Sequence, residues 1–145
     1  LTTSRSPYIE PSWFRPGSFV AHVSLDDVTE EVFLQAEALF VDDVTLIRDN
    51  PRRILGRLMA EGKISEPGAS ARTGRGITGT LGDVLTGRRE AVRPADGVVV
   101  SNPFGMSILD VGLLQQVAAA ADAEGLGLPV RLFGEAEADV NRWDC

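Results

Sequence analysis

The run from Phe19 to Glu31, FVAHVSLDDVTEE, does most to limit what this chain can fold into. Its first five residues, Phe19-Val20-Ala21-His22-Val23, are a mostly apolar, valine-containing stretch that reads as a buried strand. The stretch passes through Ser24-Leu25 to two adjacent carboxylates, Asp26 and Asp27, and then to a short helix over 28–35. Asp27 with Glu30 three positions on matches a helix start, in which a capping side chain and a carboxylate at N3 satisfy unpaired amides. Asp26 is then left at the carboxyl end of a strand and outside the helix, which is where open α/β sheets bind their ligands. The same wording recurs 16 residues on, where the apolar Ala38–Val41 runs into Asp42-Asp43. Two strands that each end in acids, with a helix between them, suit successive β-α units of a parallel sheet.

The flanking sequence extends this pattern. Pro7, Pro11 and Pro16 punctuate a loop anchored by Tyr8, Trp13 and Phe14, and Pro16-Gly17 reads as a turn directly before the first strand. Asn50-Pro51 reads as the start of a helix that buries Ile54, Leu55, Leu58 and Met59 and stops at Gly62. A loop rich in Gly, Ser, Pro and Arg covers 65–76, and a short helix over 80–86 is closed by Gly87. Gly97-Val98-Val99-Val100 is a third strand. It turns through Ser101-Asn102-Pro103-Phe104-Gly105 into a helix from about Ser107 to Glu124, with Ser107 as cap and Asp110 at N3. Gly125 and Gly127 end that helix, Pro129–Phe133 reads as a last strand, and the tail from Gly134 to Cys145 is acidic.

Charge and residue types exclude several classes of function. A net charge of −7 disfavours non-specific binding to nucleic acid or to anionic membranes, and no apolar stretch approaches a membrane span. The single cysteine, Cys145, rules out disulfide scaffolds and cysteine-based metal sites, and it suits a reducing cytoplasm. Lys63 is the one lysine and His22 the one histidine. His22 falls inside a strand, so it reads as a satisfied core residue. No His, Cys or carboxylate cluster has metal-ligand spacing, so no metal site is expected. The string Gly74-Arg75-Gly76-Ile77-Thr78-Gly79 matches G-x-G-x-x-G. A dinucleotide fingerprint needs a strand immediately before it, and Ser65–Thr73 cannot be one, so the string is read as a flexible loop.

Taken together, Thr2-Thr3-Ser4 before a proline, Pro16-Gly17 before VAHVSLDD, Asp42-Asp43 after a strand, Thr80-Leu81-Gly82-Asp83-Val84 with Gly87-Arg88, and Ser101–Asp110 come in an order that resembles the ornithine cyclodeaminase/μ-crystallin family. Within the family, HVSLDD and SNPFGMSILDV are most similar to the dehydrogenases of 2,3-diaminopropionate biosynthesis, the staphyloferrin B-type branch. The resemblance covers Thr2 to about Phe133 and corresponds to the carboxyl-terminal half of such an enzyme. It implies NAD as cofactor and a small amino acid as substrate. It also implies Asp26 as the catalytic acid/base, with Asp27 as the alternative if the nearer branch is shifted by one residue. Thr3 and Ser4 would line the cofactor, and Ser101 with Gly105 would form the turn beside the nicotinamide.

The expected fold is α/β: the second half of a Rossmann-type NAD-binding domain over 1–106, a return helix and strand over 107–133, and an acidic tail over 134–145. The expected chemistry is NAD-dependent oxidation of N-(2-amino-2-carboxyethyl)-L-glutamate to an imine, with release of 2,3-diaminopropionate and 2-oxoglutarate, as for siderophore or peptide natural-product synthesis. An ornithine cyclodeaminase is the rival within enzymes, and an inactive or non-catalytic binding module is the rival outside them. Opening on Leu1-Thr2-Thr3, the chain is expected to lie inside a longer, cytoplasmic protein, a homodimer whose amino-terminal half or partner chain completes the site.

Overall fold

The computed structural model describes residues 6–23, 26–69, 75–91, 94–128 and 130. Thr3, Ser4, the strand expected at 129–133 and the acidic tail therefore lie outside the described residues, Val130 excepted. The chain divides into two compact units, 1–105 and 106–145.

The first unit is built on four strands: β1 (Phe19–Ala21), β2 (Ala38–Val41), β3 (Gly79–Thr80) and β4 (Val99–Asn102). They lie in the order β1-β4-β2-β3, and all three pairings are parallel. The central strand β4 pairs Val99 with both Phe19 and Ala38, and Val100 with both Val20 and Leu39. Every residue of β2 and β4 is buried, which explains why both read as unbroken apolar runs rather than alternating ones. Successive side chains still serve opposite faces. Leu39, Val41 and Val100 join a core with Val32 and Phe33 of α1 (Glu30–Gln35), Ile47 of α2 (Val44–Arg48), and Ile54, Leu55 and Leu58 of α3 (Ile54–Ala60). Ala38, Phe40 and Val99 form a second cluster with Leu81 and Val84 of α4 (Leu81–Leu85). Helices thus cover both faces of a parallel sheet, the Rossmann-type α/β architecture.

Local chemistry explains most boundaries. Gly17, with φ +75°, makes the turn into β1 and donates its amide to the Gly97 carbonyl at 3.0 Å. Thr80 caps α4 through a complete capping box with Asp83, and Gly87 at φ +72° ends it. Gly62 at φ +68° follows α3, as its position in the sequence implied.

Three boundaries differ from the sequence reading. Asn50-Pro51 does not open α3. Asn50 instead closes the turn after α2, donating to the Ile47 carbonyl at 3.0 Å, and α3 begins at Ile54. The helix α2 itself had not been foreseen; it is capped by Asp43, whose Oδ1 accepts from the amides of Thr45 and Leu46 at 2.7 and 3.0 Å. The edge strand β3 was not foreseen either, and it falls at the end of the G-x-G-x-x-G string. Gly76 bridges Ser65 and the chain then enters β3, so this string leads into a strand instead of from a strand into a helix.

The second unit contains α5 (Ser107–Glu124), an 18-residue helix that ends at Gly125 in the left-handed region. Its N-cap is Met106, and no side chain caps it, so the Ser107–Asp110 capping box does not form. Ile108, Leu109, Val111, Leu113, Leu114 and Val117 are spaced around its whole circumference, and all are exposed. Among the described residues, no helix is long and apolar enough to cross a membrane.

Candidate active site at the carboxyl ends of the strands

Because the strands are parallel, β1, β2 and β4 deliver their last residues to one rim of the sheet. His22 follows β1 directly, and its amide donates to the Ser101 carbonyl at 2.8 Å, continuing the ladder one residue past the strand. Asn102, the last residue of β4, donates its side-chain amide to the His22 carbonyl at 3.1 Å. The His22 backbone is therefore held to β4 on both sides. Asn102 is only 3% exposed, and the sequence reading passed over it. A polar residue ending an apolar run was the available signal.

The His22 side chain is 4% exposed and packs edge-on to Phe33, with 5.8 Å between ring centroids. Among the described residues, neither Nδ1 nor Nε2 has a hydrogen-bond partner, and Asn102 directs its amide to the backbone carbonyl instead. The sequence reading made His22 a satisfied core histidine. It is buried but not satisfied, and each buried unpaired nitrogen costs about 1–3 kcal/mol. Burial pushes the His22 pKa below its ordinary 6.5; the Asp27 carboxylate and then Asp26 oppose this, and the Arg53 guanidinium adds to it.

The two acids after β1 make backbone contacts that the sequence did not foresee. Asp27 does not cap α1. The N-cap is Thr29, without a side-chain bond, and Asp27 is only 4% exposed. Its carbonyl accepts from the amides of Tyr8 and Ile9, both at 2.9 Å, which ties the preceding loop to this position. Asp26 is half-buried, and its Oδ1 accepts from the Ile54 amide at 3.0 Å, so it satisfies the start of α3, 28 residues away.

Ser101 and Gly105, which the resemblance sets beside a cofactor, also come to this rim. Ser101 is 5% exposed within β4, and its neighbour across the sheet is Ala21 on one side and Phe40 on the other. Gly105 is exposed at φ +80°, with open space where a Cβ would stand, and its amide donates to Asp42 Oδ2 at 2.9 Å. Arg53, just before α3, stacks its guanidinium 4.4 Å from the Phe104 ring centroid, joining that turn to the Asp26 side of the rim. A cleft of about 630 Å³ elsewhere, lined by Glu10, Pro11, Ser12, Thr29, Glu31 and Gln35, contains none of these groups. Among the described residues, no group of three His, Cys, Asp or Glu side chains could hold a metal ion.

No family model matches the chain. It is 30% identical over 132 residues to the N-((2S)-2-amino-2-carboxyethyl)-L-glutamate dehydrogenase of Staphylococcus aureus, covering 91% of this chain and 37% of that enzyme. The crystal structure of CmnK is 58% identical with a TM-score of 0.77, over 92% of this chain and 38% of that one. Thermococcus litoralis Δ1-pyrroline-2-carboxylate reductase, solved with NADH and L-proline, shares the fold at a TM-score of 0.67 and 20% identity, over 89% of this chain and 38% of that one. A probable ornithine cyclodeaminase from Bordetella pertussis shares it at 0.59 and 22% identity, over 88% and 40%. The resemblance to the ornithine cyclodeaminase/μ-crystallin family is borne out, and with it the Rossmann-type α/β fold. The chain spans little more than a third of the length of these relatives.

Proposed function

We propose that this chain forms the carboxylate-bearing side of the active site of an NAD-dependent amino-acid dehydrogenase of the cyclodeaminase type. Its substrate is N-(2-amino-2-carboxyethyl)-L-glutamate, and its products are 2,3-diaminopropionate and 2-oxoglutarate. The observation that carries the reading is the β1 end, where His22 and Asp27, both buried, follow the strand in a chain 30% identical to an enzyme of that activity.

The residues at the rim fit the ring end of a dinucleotide. Gly105 leaves open space beside the end of a parallel strand, and Ser101 and Asn102 lie within one turn of it. NAD, when bound, supplies the hydride acceptor. The chain's own part is proton management and positioning. We take Asp27, the alternative that the resemblance offered, as the acid/base in preference to Asp26: Asp27 is buried at the strand rim, while Asp26 is half-buried and accepts from the Ile54 amide. Asp27 takes the proton from the secondary amine as the imine forms, returns it to the imine nitrogen, and as a carboxylate again accepts a proton from the attacking water. Asp26 fixes α3, and Arg53 on Phe104 fixes the turn that carries Gly105.

A chain of this kind works with a further segment that brings the phosphate-binding loop and the substrate pocket, and it works as a homodimer. The helix α5 supports that part of the reading, since a helix apolar on every side is normally a buried one. The test is NADH formation by the full-length protein. Turnover of N-(2-amino-2-carboxyethyl)-L-glutamate supports the proposal; turnover of L-ornithine alone shifts it to the cyclodeaminase rival. Turnover of neither, by a folded protein that does not bind NAD, would favour a non-catalytic module.

A further inference from the structure

We propose that Asp42 is a positioning residue on the cofactor side of this site: its carboxylate ties the turn after β4 to the end of β2 and so sets where the Gly105 backbone stands for a bound dinucleotide. The proposal rests on the dinucleotide reading above, and it gives a part in that reading to a side chain outside the chemistry.

The strands β2 and β4 are neighbours, with Val41 opposite Asn102, so the residues that follow them leave the sheet side by side. Asp42 is the first residue beyond β2, and Pro103, Phe104 and Gly105 are the first beyond β4. The two oxygens of Asp42 have different tasks. Oδ1 accepts from the Asp43 amide at 2.9 Å, a contact between adjacent residues that fixes how the carboxylate is turned. Oδ2 accepts from the Gly105 amide, 63 residues away, also at 2.9 Å. An ionised acceptor makes such bonds stronger than a neutral one does.

The turn is held from two sides. Phe104 anchors it by its side chain, which packs against the core shared by Val41 and Val100 and lies under the Arg53 guanidinium at 4.4 Å. Asp42 anchors it by its backbone, on the β2 side. Pro103 has no amide hydrogen to add. Gly105, at φ +80° with open space where a Cβ would stand, has no side chain to steady it. Ligands of open α/β sheets bind at this end of the strands. Without Asp42 the Gly105 backbone is free to pivot about the Phe104 anchor, and a misplacement of about 1 Å is enough to be felt at a reacting group. Asparagine cannot replace the carboxylate. It has one acceptor oxygen, and its NH2 would face either the Asp43 or the Gly105 amide, donor against donor.

The experiment compares Asp42→Asn, Asp42→Ala and Asp43→Ala in the full-length protein, by fluorescence titration with NADH and by kinetics with NAD. Asp43→Ala is the control: it removes two bonds from the neighbouring carboxylate, to the Thr45 and Leu46 amides, and leaves the turn alone. Both Asp42 variants should raise the NADH Kd and the KM for NAD roughly tenfold, with kcat at saturating NAD within about twofold of the parent. Asp43→Ala should melt at a lower temperature and keep the parental Kd. Deuterium uptake over 103–106 should quicken in both Asp42 variants and not in Asp43→Ala. An NADH Kd that Asp42→Asn leaves unchanged, a rise that Asp43→Ala matches, or an unaltered uptake overturns the proposal. If Asp42→Ala does not fold, the isosteric Asp42→Asn decides alone. An unaltered protein that binds no NADH defeats the dinucleotide reading and the positioning role with it. One that binds NADH with no loss in Asp42→Asn defeats the positioning role only.

Discussion

Two strands of this sheet end in a pair of aspartates, and the two pairs have different fates. After β2 the acids follow the strand at once and are consumed by nearby backbone. Asp43 caps α2, while Asp42 accepts from the Asp43 amide at 2.9 Å and from the Gly105 amide at 2.9 Å. After β1 the acids come later, and Asp26 takes its task on a helix 28 residues away. Asp27 is buried, and its carbonyl accepts from the Tyr8 and Ile9 amides. The same two letters cap the next helix where the chain turns into it at once, and leave that cap to Thr29 where a longer connection intervenes.

The largest effect that could break this contrast is kinetic. Asp27→Asn in the full-length enzyme should lower kcat by roughly 100-fold or more, the range for loss of an acid/base group. Asp26→Asn keeps an oxygen for the Ile54 amide and should lose less than about tenfold. Equal losses would mean that the two acids act as one unit; a larger loss for Asp26→Asn would return the catalytic role to it.

A second effect lies where the helices served by the two ends meet. A Cβ on Gly56 would stand 2.2 Å from the Asn50 carbonyl oxygen and 2.6 Å from that of Ile47, both backbone. Gly56→Ala should therefore cost about 3 kcal/mol, at the upper end for overpacking, read from urea unfolding. A loss under about 1 kcal/mol would show that α2 and α3 separate easily and that Asp26 does not hold a rigid joint.

The caps give a smaller and more pointed comparison. Asp43→Ala removes the acceptor of two amides and should cost about 1–2 kcal/mol, whereas Asp43→Asn should cost only a few tenths. Asp26→Ala should cost about 1 kcal/mol by the same reasoning, for one amide. Thermal or urea melts of the three variants would order the two ends by structural weight.

Acid should produce the smallest effects. Arg57 first, then Lys63, hold the Glu30 pKa below its ordinary 4.5. That contribution is fully present above 4.5 and is lost as pH falls through the lowered value; it is worth about 0.5 kcal/mol after solvent screening, and Glu30→Gln should remove it. His22 acts in the same direction at higher pH. The unfolded chain takes up a proton below about 6.5 and the folded one resists, so stability should begin to fall there, and His22→Gln should flatten that limb. A limb unchanged by His22→Gln would assign it to other groups.

What could be read from the sequence depended on the reach of the interactions involved. Thr80 with Asp83, Gly62, Gly87 and Gly125 act within a turn of where they stand, and the helix ends they mark were legible. The apolar runs at 38–41 and 97–100 gave the central strands to within two residues. Asn50-Pro51 misled because the acceptor for the first amide of α3 comes from Asp26, far away in the chain. Asp27-x-x-Glu30 misled in the opposite way: the spacing of a cap was present, but the carboxylate was buried and Thr29 took the position. His22 was correctly read as buried. Its missing partners depend on which residues of β4 and α1 surround it, and no local pattern encodes that.

The placing of β4 between β1 and β2 also sets an order of events during synthesis. β1 and β2 are made first but do not pair with each other; β2 meets β3 on one edge, while its other edge and β1 wait for Val99–Asn102, the last strand of the described sheet. At roughly 5–20 residues per second, the interval between the end of β2 and the end of β4 is about 3–12 seconds. Through that interval both strands present unpaired edges, and such edges template pairing with other chains. The nascent chain therefore passes through a stage that needs protection, and its sheet closes late, when β4 joins β1 to the β2–β3 pair.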